Sequence, residues 1–584
     1  MACLIRNYMI ARKIGIPIRV LFIASNNPFW MLVDSSVVNL VCKLLPCLRN
    51  SSFARYNWRG WEVQDKCRSA LEMGTAWVLV TSNYNAIQLC DPDALMEVFR
   101  RKNDFPRPLH FYTMLNPFGP NLATVEGEQW KRQRKAAASC FNEPNNDIVW
   151  SDSLAQADGM IRYWASKSSI ASTADDARTL SLHILSRAGF GRSFKFQGHL
   201  EKAATASVVM NYKESLQIVL DNSILIMALG TKFLAKSWLP ASLRRVHQAI
   251  VAYQEYMTRI YEEEKGSVAH NGTKTTSRTL MSTLVRASAE EEDQSTRLTE
   301  RELYGNMFIF NFAGHDTTTN SLVFALMHLA INPEVQEWIS EEICSVFGDR
   351  PVSDWDYHSD FHRLKRCAAI LMETVRLWTP VPMAKWTESR VEYHYWGKAL
   401  AQVEELITPR RGTFVGWSEG ERNCPGKRFS QVEFVATMAT LFRDHRVDPT
   451  KRPGESADES RRRIHCQLET DSAQILLLQM LHPERAALSW RKKGDPSLAE
   501  PAAATISPSI AEQLASKTGC GTYRSKETSI STVGLELPIP KENNPSGTGP
   551  KHKPAETHQQ AGGPPNLVDF GEKEFLSASS QQSK

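Results

Sequence analysis

The chain has 584 residues, 42% hydrophobic and 23% charged, enough apolar material to bury a large core and not the composition of a wholly disordered chain. A formal net charge of +5 is small for this length, so nothing in the charge points to nucleic acid as a partner. Eleven cysteines, an odd number with no CxxC pair or zinc-like spacing, fit a reducing compartment better than a disulfide scaffold.

In chain order, the first candidate element is the apolar stretch from Pro28 to Leu48. Asp34 and Lys43 interrupt it, so it falls short of the roughly 20 apolar residues that span a bilayer. Residues 1–50 are set apart as an N-terminal segment, and 51–492 read as one large, mainly helical domain with no solenoid or propeller repeat. In EGEQWKRQRKAAASCF, Trp130 and Arg134 stand four apart, so a helix puts them on one face; an ordinary basic helix face has the same pattern. Leu216 to Pro240 is apolar and suits core packing.

The longest helical pattern runs from LTERELY to INPEV, with Thr299 and Glu302 as a capping box and Pro333 marking its break. Inside it lies AGHDTT, Ala313 to Thr318. Gly314 costs a helix about 1 kcal/mol relative to alanine and allows something to approach the backbone. Asp316 and Thr317 there suit a buried acid and alcohol pair that passes protons, or equally a polar helix edge turned to solvent. The pattern FHRLKRCAAILMETVRLW follows, ended by Pro380 and Pro382. Its Glu373 and Arg376 share a face at i and i+3.

The stretch WSEGERNCPGKRFS, Trp417 to Ser430, sets one cysteine in a loop that enters a helix. Gly420 and Gly426 suit a tight turn and a close backbone approach, and Pro425 suits a first helical position. A cysteine at a helix N-terminus is favoured as the thiolate, the form that binds metals. Beyond Trp490 there is no tryptophan. The segment 493–584 is rich in Pro, Ser, Gly, Gln and Lys and reads as disordered.

The order WxxxR, AGxDTT, ExxR, GxRxCxG resembles the cytochrome P-450 family of haem-thiolate monooxygenases, over roughly Arg12 to Trp490. The resemblance implies a mainly α fold with a small β-sheet region and one large haem-binding domain. It implies haem b held by Cys424 as axial iron ligand, with Gly420, Arg422 and Gly426 of the same signature and Trp417 where the family usually carries phenylalanine. Arg422 and Arg134 pair the propionates, with Trp130 beside them. Gly314 makes room for O2, Thr317 holds its distal end and Asp316 feeds protons, while Glu373 and Arg376 are structural. Electrons are expected from an NADPH-dependent reductase docking near Lys427 and Arg428. The implied reaction inserts one oxygen atom into a small lipophilic substrate, in secondary metabolism or detoxification.

Two departures bear on this reading. The opening NYMIARKIGIP resembles the stretch that follows the membrane anchor of microsomal members, so the segment 1–50 is expected to lack the anchor. The expected place is the cytosolic face of the endoplasmic reticulum, as a peripheral protein, or the cytoplasm. The interval between Glu373 and Cys424 is also short for the family, shortened between residues 386 and 413, and Arg410 or Arg411 stand where a meander would supply an arginine to the ExxR pair. That shortening favours the alternative, a haem-poor or haem-free protein that keeps the fold for binding or scaffolding. A haem-thiolate isomerase or dehydratase that needs no reductase is a further variant.

Overall fold

The structure, a computed structural model, describes residues 2–24, 27–66, 68–107, 109–112, 115–199, 212–271, 279–289, 297–381, 411–474 and 477–494. Two compact units divide the chain, residues 1–499 and 500–584; the second lies outside the described residues, as does most of the segment expected to be disordered.

The helices of seven residues or more are, through the first half, α1 (Ala2–Arg12), α2 (Pro28–Leu44), α3 (Pro92–Arg100), α4 (Gly127–Cys140), α5 (Glu143–Ala165), α6 (Thr173–Phe190), α7 (Tyr212–Asp221) and α8 (Ser223–Leu229). The second half adds α9 (Ala241–Asn271), α10 (Leu280–Ala289), α11 (Glu300–Ile331), α12 (Pro333–Phe347), α13 (Lys365–Leu377), α14 (Lys427–Asp444) and α15 (Ala457–Thr470). Strand β1 (Ile18–Val20) pairs parallel with β2 (Ala76–Val80), which pairs antiparallel with β3 (Asn85–Leu89). Two antiparallel pairs complete the sheets: β4 (His445–Pro449) with β7 (Leu488–Lys492), and β5 (Ser472–Gln474) with β6 (Leu478–Met480). The fold is mainly α with small sheets, as the sequence led us to expect.

The core is built where α5, α6, α11 and α14 pack together. Helix α11 starts at the expected capping box: the Thr299 hydroxyl accepts from the Glu302 N–H, and the Glu302 carboxylate accepts from the Thr299 N–H. It is then buried on nearly every side, as a central helix must be. Trp150 and Trp164 of α5, Phe324 of α11 and Phe434 of α14 are among the largest side chains fully enclosed there. Each is worth about 3 to 5 kcal/mol against truncation to alanine.

One boundary is corrected. Lys493 belongs to the folded body and not to the tail: its ammonium donates to the carbonyls of Phe442 (2.7 Å) and Arg443 (2.6 Å) at the end of α14, and its N–H donates to Asp444 O (2.8 Å). A cation on the last carbonyls of a helix satisfies acceptors that have no intrahelical partner and meets the negative end of the dipole.

Candidate functional site

The loop that follows the short interval is pinned before it reaches the cysteine. A Cβ at Gly412 would lie 2.2 Å from Pro92 O, and one at Gly416 would lie 2.3 Å from Val375 Cγ1 of α13. Only glycine permits either approach. Trp417 closes the turn, since its carbonyl accepts from the Cys424 N–H (2.9 Å) and its indole N–H donates to Ser430 Oγ (3.0 Å). Gly420 has φ of +75°, as the expected tight turn demands, whereas Gly426 has an ordinary φ of −85° and caps α14. Pro425 therefore precedes the cap and is not the first helical residue.

Cys424 is open to a water-sized space and yet enclosed by protein at longer range, so it lines an inner recess. Burial raises its thiol pKa, while the Gly426 N–H, Arg134 and Lys427 pull the other way. The expectation that the helix terminus alone favours the thiolate is thus corrected: desolvation is the larger effect here, and a positive partner has to offset it.

Three arginines crowd beside that loop. Arg134 of α4 donates to the Asn423 carbonyl (2.9 Å) and side-chain oxygen (2.6 Å), which fixes the residue before the cysteine. Arg422 lies over the Trp130 ring, 4.5 Å from its centroid, donates to Val125 O (3.1 Å) and pairs with Glu126. Its Nη1 is buried with no partner. Arg107 reaches the Arg422 carbonyl (3.5 Å), and its charge depresses the pKa of both other arginines, on which burial acts most. An orphaned guanidinium N–H amid clustered positive charge is the signature of a missing anion.

Across the recess lies the one break in α11's burial. Between Leu303 and Met327, Ala313 is exposed and only Phe310, Gly314, Asp316 and Thr317 are partly so. Phe310, Ala313 and Thr317, at steps of three and four, share a face. The Phe141 ring joins this face to the cysteine loop, packing edge-on to Phe310 at 5.4 Å and lying 3.5 Å from where a Gly426 Cβ would be. Thr317 Oγ1 donates to Ala313 O (2.6 Å).

Two details of the AGHDTT reading change. Asp316 and Thr317 form no acid and alcohol pair; Asp316 Oδ1 faces Arg178 Nε and His315 Nδ1, each at 3.4 Å, on the α6 side. A Cβ at position 314 would sit 3.5 Å from Leu185 Cδ1 of α6, in ordinary contact, so the side chain Gly314 omits faces α6 and Ala313 is the residue open to the recess.

Glu373 and Arg376 pair through two 2.7 Å contacts, but their side chains are 39% and 55% exposed, so this is no buried pair among the described residues. Arg410 lies outside the described residues and Arg411 is exposed. Arg428 is corrected as a docking contact, because its guanidinium is spent on the Phe361 ring (4.1 Å) and the Tyr357 hydroxyl (3.1 Å); Lys427 is exposed. In the Leu216 to Pro240 stretch, Leu216, Val219, Leu220, Ile226 and Leu234 are core.

The profile of the cytochrome P450 family matches residues 44–388, more than half of the chain. The chain belongs to the cytochrome P450 family. It is 28% identical over 540 residues to a cytochrome P450 monooxygenase of Arthrobotrys oligospora, covering 79% of this chain and 92% of that one. It is 26% identical over 539 residues to the phomenoic acid biosynthesis cluster cytochrome P450 monooxygenase of Leptosphaeria maculans, covering 79% and 91%. The crystal structure of the cytochrome P450DA heme domain superposes with a TM-score of 0.56 at 16% identity, over 74% of this chain and 92% of that one, which shows the same fold.

This P450 is therefore of an oxygen-incorporating class whose cofactor is haem. The recess fits it, with a sulfur donor on one wall, a small-residue helix turn on another and an unpartnered arginine N–H at the edge. Sequence reasoning missed Arg107, Phe141, Phe310 and Gly416. Arg107 sits between two prolines with no helical phase to pair it with a partner, and Gly416 shows its role only against Val375.

Proposed function

We propose that this P450 inserts one atom of O2 into a small lipophilic substrate of secondary metabolism, with electrons from an NADPH-dependent reductase. The observation that carries the site assignment is the buried, unpartnered Nη1 of Arg422 beside Arg107 and Arg134, together with the recessed Cys424. In this reading Cys424 would ligate the iron, and Arg422, which lies over the Trp130 ring, would hold the propionates together with Arg134 and Arg107. Bound haem supplies the iron at which O2 is activated, and thiolate donation favours O–O cleavage.

The remaining steps fall to the chain's own side chains. Arg134 holds the cysteine loop through Asn423 and offsets the charge of the thiolate. Ala313 leaves the space next to the turn open, and Thr317, by rotating from the Ala313 carbonyl, presents its hydroxyl there. Asp316, which faces Arg178 and not Thr317, would supply its proton there through an intervening water. Phe310 and Phe141 exclude water from one side. Lys427 is the exposed cation next to the cysteine loop that suits an acidic reductase surface.

A membrane face accompanies this reading. No described helix is long and apolar enough to cross a bilayer. Even so, α2 exposes Phe29 (69%), Leu40 and Leu44, α8 packs against it, and Trp238 beyond α8 is 71% exposed. Apolar side chains with Lys43 and Lys236 nearby suit the interface of an endoplasmic reticulum membrane.

The test is reconstitution of the purified chain with reductase, NADPH and isotopically heavy O2 over a panel of small lipophilic compounds. A product carrying one heavy oxygen, formed only with NADPH, is expected. Turnover without NADPH, or oxygen drawn from water, would overturn the reading in favour of an isomerase or dehydratase.

A further inference from the structure

The AGHDTT turn carries a histidine whose hydrogen bonds do not balance unless a proton is shared. His315 is 1% exposed. Its Nε2 lies 3.1 Å from the Arg178 carbonyl of α6. A carbonyl can only accept, so Nε2 must carry the hydrogen. That leaves Nδ1 as a bare lone pair in the neutral ring, buried without a hydrogen-bond donor and 3.4 Å from Asp316 Oδ1. Asp316 is partly exposed and its Oδ1 also faces Arg178 Nε at 3.4 Å, so the cost of two acceptors facing each other falls on the buried Nδ1, on the order of 1 to 3 kcal/mol for the unsatisfied group. A proton between them removes that cost whichever atom it sits on.

The surroundings hold this proton in balance. From α6 come the Arg178 guanidinium, which disfavours a charged ring, and the Arg178 carbonyl, which favours one. Asp221 at the end of α7 and Asp316 also favour it, while burial, the largest influence, opposes it. From α14, Glu433 reaches the His315 backbone through Ser181, whose hydroxyl lies 2.6 Å from Glu433 Oε1 and 3.3 Å from His315 O. Arg178 bridges outward to Asp175, whose side chain is 58% exposed, so the cluster has an edge in water from which it can be recharged.

We propose that His315 and Asp316 hold one proton between Nδ1 and Oδ1, and that this pair, and not Asp316 alone, is the proton store behind Thr317. The pair gives its proton toward the Thr317 hydroxyl or a water beside it and takes one back from solvent past Arg178. His315 acts through Asp316 and does not touch the reacting atoms. The role of the proton rests on the monooxygenase reading; the shared proton itself does not.

The experiment therefore has two arms. In the first, the full chain is labelled with nitrogen-15 histidine and studied as the reduced, carbon monoxide-bound holoprotein, with the His315 signals assigned by their loss in His315→Gln. The expected result is a protonated Nε2 and an Nδ1 shifted between its bare and fully protonated positions, moving to the bare position in Asp316→Asn. An Nδ1 at the bare position in the wild type, unmoved by Asp316→Asn, would overturn the shared proton. In the second arm, the fraction of NADPH electrons lost as hydrogen peroxide is followed against pH. His315→Gln keeps a donor for the Arg178 carbonyl and is expected to raise this fraction several-fold, to the level of Asp316→Asn, and to shift its pH midpoint. A wild-type profile in His315→Gln would overturn the store. A chain lacking the thiolate carbon monoxide band would refute the monooxygenase reading, and the first arm, read on that same full chain without carbon monoxide, would still decide the shared proton.

Discussion

Glu433 of α14 is 1% exposed in the middle of the four-helix core, about two turns from the ligand loop. Its Oε1 lies 2.6 Å from Ser181 Oγ, and its Oε2 is buried without a partner. Burial, with Asp152 nearby, pushes its pKa from 4.5 up to about 8. As a neutral acid it donates to Ser181, which donates in turn to the His315 carbonyl; as a carboxylate it leaves a charge in a dry core. The unfolded chain releases the proton near pH 4.5 and the folded chain holds it until about 8. Stability is thus fully present below 4.5 and falls as pH rises through that window. At pH 7 the loss amounts to roughly 3 kcal/mol, at about 1.4 kcal/mol for each pH unit crossed. Asp152, raised to about 6 by burial, adds to the slope. Glu433→Gln cannot ionise and its amide can donate to Ser181 as the neutral acid does. Urea unfolding of both proteins at pH 5 and pH 8 is the assay. The variant is expected to stay within about 1 kcal/mol of the wild type at pH 5 and to exceed it by about 4 kcal/mol at pH 8. A variant equally destabilised at both pH values would refute the reasoning, since it would mean that the carboxyl is needed for packing and pays no ionisation cost.

Other outcomes follow from the same geometry. Arg107→Ala loses the proposed propionate contact while breaking, within the protein, two 3.5 Å bonds and a 5.4 Å stacking on the Tyr112 ring, so haem dissociation, followed by transfer to an acceptor protein, should quicken about tenfold or more with little change in melting temperature; one charge-assisted bond is worth about 1.5 to 3 kcal/mol. Gly416→Ala drives a Cβ into Val375 and should lower haem per polypeptide through a displaced cysteine loop, with overpacking costing about 1 to 3 kcal/mol. Truncation after Gly494 should leave the melting temperature unchanged, whereas Lys493→Ala in the full chain should lower stability by about 1 kcal/mol, the worth of a cation on the α14 carbonyls. Thr317→Ala should keep haem and raise peroxide release per NADPH consumed.

The sequence made legible whatever depends on short-range spacing. The capping box at Thr299 and Glu302, the break at Pro333 and the glycine turn before Cys424 are local rules, and each is found in place. Pairings across the fold were beyond it. Asp316 stands beside Thr317 in sequence, yet adjacent helical residues point about 100° apart, and so the acid turned to Arg178 instead. Arg428 looked like free surface charge because nothing in the sequence shows Phe361 and Tyr357 arriving beneath it. The pKa of Cys424 was read from the helix terminus alone, while the enclosure that raises it comes from α4 and the loop together. The Glu373 and Arg376 pair shares a face as its spacing requires but is half-exposed, and the interval that follows it falls on residues 382–410, outside the described residues.

The central claim is that Cys424 ligates haem iron as a thiolate. It is tested most directly by the absorbance difference spectrum of the full chain, reduced and treated with carbon monoxide, alongside Cys424→Ser prepared in parallel. The structure predicts the red-shifted band that only a thiolate ligand gives in the wild type and its loss in the variant; a wild type without that band, or a variant that retains it, would contradict the account.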